Sequence, residues 1–208
     1  MSLFSKSEAD QIAAAITEVE KSTAGEIVVA EDVRSDDYAE VRLAWAFGLG
    51  LAVAGGAHLF WPWLEAGWLL GAELGVFLLV WLLSALPVVL RRLVPGGRAH
   101  EAVDRAARLA FVEHAVFRTR DRTGVLIFLS ALEHRVVILG DDGIHARVQN
   151  PGWEALVAEL AQSIRAGRAG EGVCTVVRKL GVRLGEAAPI RPDDENELAN
   201  HVRGPRAR

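Results

Sequence analysis

Residues 43–60 read LAWAFGLGLAVAGGAHLF, residues 61–66 read WPWLEA, and residues 67–90 read GWLLGAELGVFLLVWLLSALPVVL. The two apolar runs, Leu43–Phe60 and Gly67–Leu90, are 18 and 24 residues long. A bilayer core of ~30 Å takes about 20 helical residues at ~1.5 Å each, so the first run is near the lower limit and the second has length to spare. The six residues between them allow only a tight turn. The expectation is a transmembrane helical hairpin. The competing reading, a buried hairpin in a soluble core, is the weaker one because soluble helices of this length keep a polar face. Five of the six tryptophans lie in this stretch: Trp61, Trp63 and Trp68 surround the turn and Trp45 lies near the opposite end. Indole rings favour the headgroup level, where the ring is in apolar surroundings and the N–H is wet.

Gly48, Ala52 and Gly56 form one small-residue stripe, and Gly67, Gly71 and Gly75 form another. Such stripes let helices approach closely in lipid. They are expected to pack the hairpin on itself, with a homodimer through one stripe as the alternative. Glu73 is the one carboxylate inside a span, and His58 is near the end of the other. Both lie close to the turn, which favours an interfacial position over a relay role. Arg42 precedes the first span, Arg91, Arg92 and Arg98 follow the second, and the turn carries no Lys or Arg. The positive-inside rule then places both termini in the cytoplasm of a multi-pass inner (cell) membrane protein.

Outside the hairpin, about 160 residues remain, enough for one globular domain. A net charge of −4 points to no nucleic-acid partner. Cys174 is the single cysteine, so an intrachain disulfide is excluded. The N-terminal MSLFSKSEADQ has no signal-type apolar run.

The remaining chain alternates helix and strand signals. Residues 5–22 read as an amphipathic helix with Ile12, Ile16 and Val19 inward and Ser7 as cap. Glu26–Val33 (EIVVAEDV) reads as a strand. After the breaker Pro95-Gly96-Gly97, residues 99–117 read as a helix with Ala102, Ala106, Leu109, Val112 and Val116 inward. Gly124–Ser130 and Arg135–Leu139 read as an antiparallel strand pair, apolar on both faces and therefore covered on both. Two helices follow, striped by Trp153, Leu156, Val157, Leu160 and Ile164 and by Val173, Val176, Val177, Leu180 and Leu184. From Pro189 the chain turns polar, a tail with one short helical turn around Glu195–Val202. The domain plan is residues 1–42 (helix and strand), 43–90 (hairpin), 91–187 (the rest of the α/β domain) and 188–208 (tail). The fold class is α/β, a small mixed sheet between helices interrupted by a two-helix transmembrane hairpin.

A helix leading into AGEIVVAEDV, another leading into RTGVLIFLSALEHRVVILGDDGI, then a W-x-x-L-V helix, a glycine break and a last helix running to an NEL tail resemble the TPM-domain family. That family includes a thylakoid-lumen phosphatase-like protein and many bacterial membrane-anchored proteins. The resemblance covers residues 5–187 and is best over Thr123–Ile144. It implies a compact domain with a cleft at one sheet end, where acidic residues hold a divalent metal, and acid phosphatase activity in some members. Here two spans interrupt the domain after its first strand, and GDDG stands where the family often has a glycine-rich turn.

Asp141 and Asp142, at a strand end between glycines, are the leading candidates for a hard cation, Ca²⁺ or Mg²⁺. Ordinary turn chemistry, which also favours Asp and Gly, is the competing reading. Glu26 matches the family's acidic position and is a candidate third ligand, against a solvated or ion-paired role. Arg118, Arg120 and Arg122 are phosphate-contact candidates, since forked donors suit phosphate, against a solvated edge. His114, His134 and His145 show no ligand spacing, and Cys174 reads as a buried small hydrophobe. No GxSxG, GxxxxGK[ST] or CxxC occurs. Two functions follow. The first is a membrane-tethered accessory domain that binds a membrane-protein partner or a divalent cation. The second is a metal-assisted phosphatase using Asp141 and Asp142.

Overall fold

The structure is a computed structural model that describes residues 3–145, 151–190 and 197–204. The chain divides into two compact units, residues 1–35 with 100–208, and residues 36–99.

The first unit is built on a three-stranded sheet: β1 (Glu26–Asp32), β2 (Gly124–Ser130) and β3 (Arg135–Gly140). The order is β1-β2-β3, with β1 parallel and β3 antiparallel to β2. Alternation along the strands divides the core in two. Ile27, Val29, Val125, Ile127 and Leu129 point to one face, where helices α1 (Lys6–Glu20), α7 (Pro151–Arg165) and α8 (Ala169–Ala187) add Ile12, Ile16, Leu160, Val177 and Leu180. Val28, Ala30, Leu126 and Phe128 point to the other, against Val103, Ala106, Ala107 and Ala110 of α5 (Gly96–Glu113). Each fully buried aliphatic side chain here contributes roughly 1.5–3 kcal/mol.

Several local expectations are corrected. Ser5, not Ser7, caps α1, because Ser5 and Glu8 form a reciprocal capping box. In α5 the alanine stripe faces inward, and Leu109 and Val112 are exposed. Small side chains let this helix sit close on the sheet, and the larger residues take the outer side. The helix stops at Glu113, and Val116–Arg118 form a separate 3-10 turn. Residues 197–204 are not helical, and residues 195–196 of that expected turn lie outside the described residues.

The second unit contains α2 (Ala39–Phe60), α3 (Ala66–Leu83) and α4 (Pro87–Leu93). The second apolar run is therefore not one helix. Pro87 lacks an N–H and disfavours helical geometry in Leu86, so α3 ends and α4 begins with Pro at its first position. The expected hairpin seam is corrected too. At Gly48, Gly56, Gly67, Gly71 and Gly75 an added Cβ would meet nothing within 4 Å. The close approach is at Gly50, where a Cβ would lie 3.1 Å from the Glu73 carbonyl oxygen. Both stripes thus face away from the partner helix. Arg42 ties the open end of the hairpin: Nε donates to Ser84 Oγ (3.0 Å), a terminal nitrogen donates to Trp81 O (3.3 Å), and the guanidinium stacks 4.2 Å from the Trp81 ring centre. Trp81 O lies in the last turn of α3, where a cation is favoured as donor and by the helix dipole. Trp45 Nε1 similarly donates to Leu93 O at the end of α4, at 3.1 Å.

Candidate functional site

Glu26, Gly124 and Asp141 stand in one row at the end of the sheet where β1 and β2 begin. Glu26 pairs with Gly124 in register, and the Asp141 N–H donates to Gly124 O at 2.9 Å. The row brings the acidic candidates to the same sheet end but leaves β2 between Glu26 and Asp141. Two strand spacings are about 9.6 Å, whereas one Ca²⁺ holds its ligand oxygens at about 2.3–2.6 Å.

The GDDG segment is a helix start. Asp141 is buried and its Oδ1 accepts the Asp142 N–H at 2.8 Å, at the head of the one-turn helix α6 (Asp142–His145). Arg122 binds both carboxylates: Nε lies 2.8 Å from Asp141 Oδ2, and a terminal nitrogen lies 3.0 Å from Asp142 Oδ2. The Arg122 carbonyl also accepts the Gly143 N–H at 3.1 Å. A side chain at Gly143 would collide with the Asp121 and Arg122 carbonyls, so this turn requires glycine. The chemistry is one fork-shaped cation shared between two carboxylates, with Asp141 shielded and Asp142 exposed.

The three arginines do not form an array. Arg118 ends the 3-10 turn with its guanidinium 5.9 Å from the Phe117 ring centre. The main-chain N–H of Arg120 donates to Glu197 Oε2 at 2.9 Å, and Arg122 is the left-handed residue that faces the acidic turn. They occupy a bend and not a strand, so alternation in sequence does not put them on one face. Among the described residues no group of three or more His, Cys, Asp or Glu could hold a metal ion. The side chain of His145 lies outside the described residues.

Glu26 has a structural partner that the sequence did not suggest. Its two oxygens accept the main-chain N–H groups of Glu197 and Leu198, at 3.1 and 3.3 Å. The C-terminal segment then continues along β1. Arg203 N donates to Val29 O (2.8 Å), and Glu31 N donates to Arg203 O (3.0 Å). Beside Glu26, the Glu20 carboxylate accepts from Ile27 N (3.2 Å) and from Asn200 Nδ2 (2.6 Å). Burial first, and the charge of Glu26 second, raise the Glu20 carboxyl from 4.5 to about 7. Glu20 is therefore an acid that exchanges its proton near neutrality.

A second polar group, also missed, lies at the opposite sheet end. Ser130 Oγ donates to Glu133 Oε2, Ser35 Oγ lies 2.7 Å from Ser130 Oγ, and Ser35 N donates to Glu133 Oε1 at 3.0 Å. These bonds fix the loops that leave β1 and β2. No spacing announces them, since Ser35 and Glu133 are 98 residues apart. Between α1 and α8 a groove of about 460 Å³ is lined by Gln11, Glu18, Glu171, Cys174, Thr175 and Arg178, with Ala14 and Ala15. Burial raises the Cys174 thiol, which keeps it protonated and a poor nucleophile.

No family model matches the chain, and no curated protein matches it. The fold is similar to that of the BA42 protein from the psychrophilic bacterium Bizionia argentinensis, solved by NMR. The TM-score is 0.61 at 19% identity, over 97% of this chain and 94% of that one. At this identity the likeness is one of fold.

Proposed function

We propose that this chain is a membrane-tethered accessory protein: the hairpin α2–α3 anchors it in the cell membrane, and a TPM-like α/β domain on the cytoplasmic side binds a partner. The observation that carries the reading is the exposure of the hairpin. None of the 18 residues of α3 is buried, and its mean hydropathy is 1.9. The corresponding window of α2 is 11% buried at a mean hydropathy of 1.6. Soluble monomers rarely expose a contiguous apolar surface of this kind, whereas a bilayer covers it at no cost. Trp61, Trp63 and Trp68 at the turn, and the basic flanks Arg42, Arg91, Arg92 and Arg98, support the orientation with both termini inside. The fold similarity to BA42 supports the domain type.

The metal-assisted phosphatase alternative has no observation of its own. Arg122 already bridges Asp141 and Asp142, and Glu26 holds the C-terminal segment. A metal ion held by both Asp141 and Asp142 would have to displace Arg122.

The test is a cysteine reporter at Glu65, in a Cys174→Ala background, treated with an impermeant thiol reagent on intact cells. Labelling at the turn, with the protein retained in carbonate-washed membranes, supports the reading. Release of the protein by carbonate would refute it. An unlabelled turn with a labelled N-terminal reporter would reverse the orientation.

A further inference from the structure

The two edges of the sheet are treated differently. The β1 edge is occupied by the chain's own C-terminal segment through Arg203. The β3 edge is open among the described residues. The hydrogen bond from Asp141 N to Gly124 O makes these two a bonded pair. Bonded and non-bonded pairs alternate along an antiparallel ladder. Arg135, Val137 and Leu139 therefore turn their main-chain groups to β2. Val136, Ile138 and Gly140 turn theirs outward, and no described backbone group meets them there. Residues Arg135–Gly140 (RVVILG) contain no Pro, no Lys and no acidic residue, the usual guards of an exposed edge.

We propose that the open edge of β3 docks a second copy of this chain, by antiparallel β3–β3 pairing about a twofold axis at Ile138. The parity of the edge narrows the register, and the end charges select it. Only even-numbered residues offer outward groups, which allows axes at Val137, Ile138 or Leu139; about Ile138, that residue pairs with itself and Val136 pairs with Gly140 of the second copy. That register also sets Arg135 opposite Asp141 and beside the exposed Asp142 of the other copy. The basic end of each strand meets the acidic end of its mate, and the twofold repeats the match. Arg135 now contacts His100 Nδ1 at 3.2 Å at the sheet surface, and Asp142 is 87% exposed, so both are placed to shift toward a second copy. Main-chain pairing would give affinity and the end charges would fix register.

The experiment uses the full chain in detergent micelles. Paired Cα atoms lie ~5.5 Å apart across a bonded pair, within the disulfide range of about 4.4–6.8 Å. Ile138→Cys in a Cys174→Ala background should therefore oxidise to a covalent dimer, while Thr175→Cys on α8 should not. By light scattering, Arg135→Glu should weaken the dimer about fivefold, and adding Asp142→Arg should restore it. Ile138 also packs against the core under α7 and α8, so Ile138→Lys is read in protein shown by circular dichroism to be folded, and that protein should be a monomer. A folded Ile138→Cys protein that stays monomeric overturns the proposal. So does a dimer that is indifferent to Arg135→Glu and is captured only by Gly56→Cys, which would place the contact in the hairpin.

Discussion

Strand β2 and helix α3 are composed of the same kind of residue and meet opposite fates. All seven residues of β2 (GVLIFLS) are buried, and none of the 18 in α3 is. The difference lies in how each satisfies its main chain. A strand needs neighbours for its N–H and C=O groups, and β2 has one on each side. Its side chains are then covered by two helical layers. A helix closes its own hydrogen bonds and can leave every side chain to an apolar solvent. Apolar content alone therefore does not locate a segment. Run length and backbone satisfaction do.

The most severe test places a charge in each region. Ile127→Asp buries a carboxylate with no partner in the core between β2 and α1. It should cost more than about 4 kcal/mol and leave the α/β unit unfolded by circular dichroism and protease sensitivity. Leu78→Asp, on an exposed site of α3, should spare that unit and, if the hairpin is the proposed membrane anchor, lower the inserted fraction at a cost of about 2.5–3.5 kcal/mol at a span centre. Equal loss of α/β structure in both variants would erase the distinction.

A methyl group should do nearly as much in the strand. At Gly124 a Cβ would collide with the Val116 carbonyl, backbone that cannot swing aside. Gly124→Ala should cost about 3 kcal/mol, read from the denaturation midpoint.

The sequence announced the parts that rest on local pattern. The β2–β3 hairpin, the covered sheet and the two long apolar helices follow from run length and alternation. The candidate site was legible in composition but not in pairing. Asp141 and Asp142 stand out as a doublet, yet their partner Arg122 lies in a bend whose left-handed geometry no periodicity reveals. The same holds for Glu26, whose partners come from residues 197 and 198 at the far end of the chain. The hairpin stripes misled because spacing shows which residues share a face and not which face meets the partner.

Acidity separates the regions next. Glu20 belongs to the α/β unit, and its carboxyl is raised from 4.5 to about 7. The folded chain thus holds a proton that the unfolded chain releases in that interval. The stability this gives is fully present below pH 4.5 and is lost as the pH rises through about 7. Each tenfold gain in proton affinity is worth ~1.36 kcal/mol, so the contribution is at most about 3 kcal/mol, and solvent screening at this partly exposed side chain reduces it. Glu20→Gln should remove this slope, seen as the difference between the two proteins' denaturation midpoints across the interval from pH 4.5 to about 7. An unchanged slope would mean that Glu20 is solvated.

The smallest expected effect lies within the hairpin, where two glycines differ. An added methyl at Gly50 would press on the Glu73 carbonyl at 3.1 Å, so the helices must part slightly. At Gly56 it would meet nothing. Gly50→Ala should weaken helix association by about 1 kcal/mol, while Gly56→Ala should change it by less than about 0.5 kcal/mol. Energy transfer between labels on α2 and α3, followed through detergent titration, reads the difference. If Gly56→Ala were the more damaging change, α2 would have to be rotated so that the small-residue stripe forms the seam. Gly50 would then face away from α3. The hairpin would resemble β2 more than α3 does now, an apolar segment whose packing partner lies within its own chain.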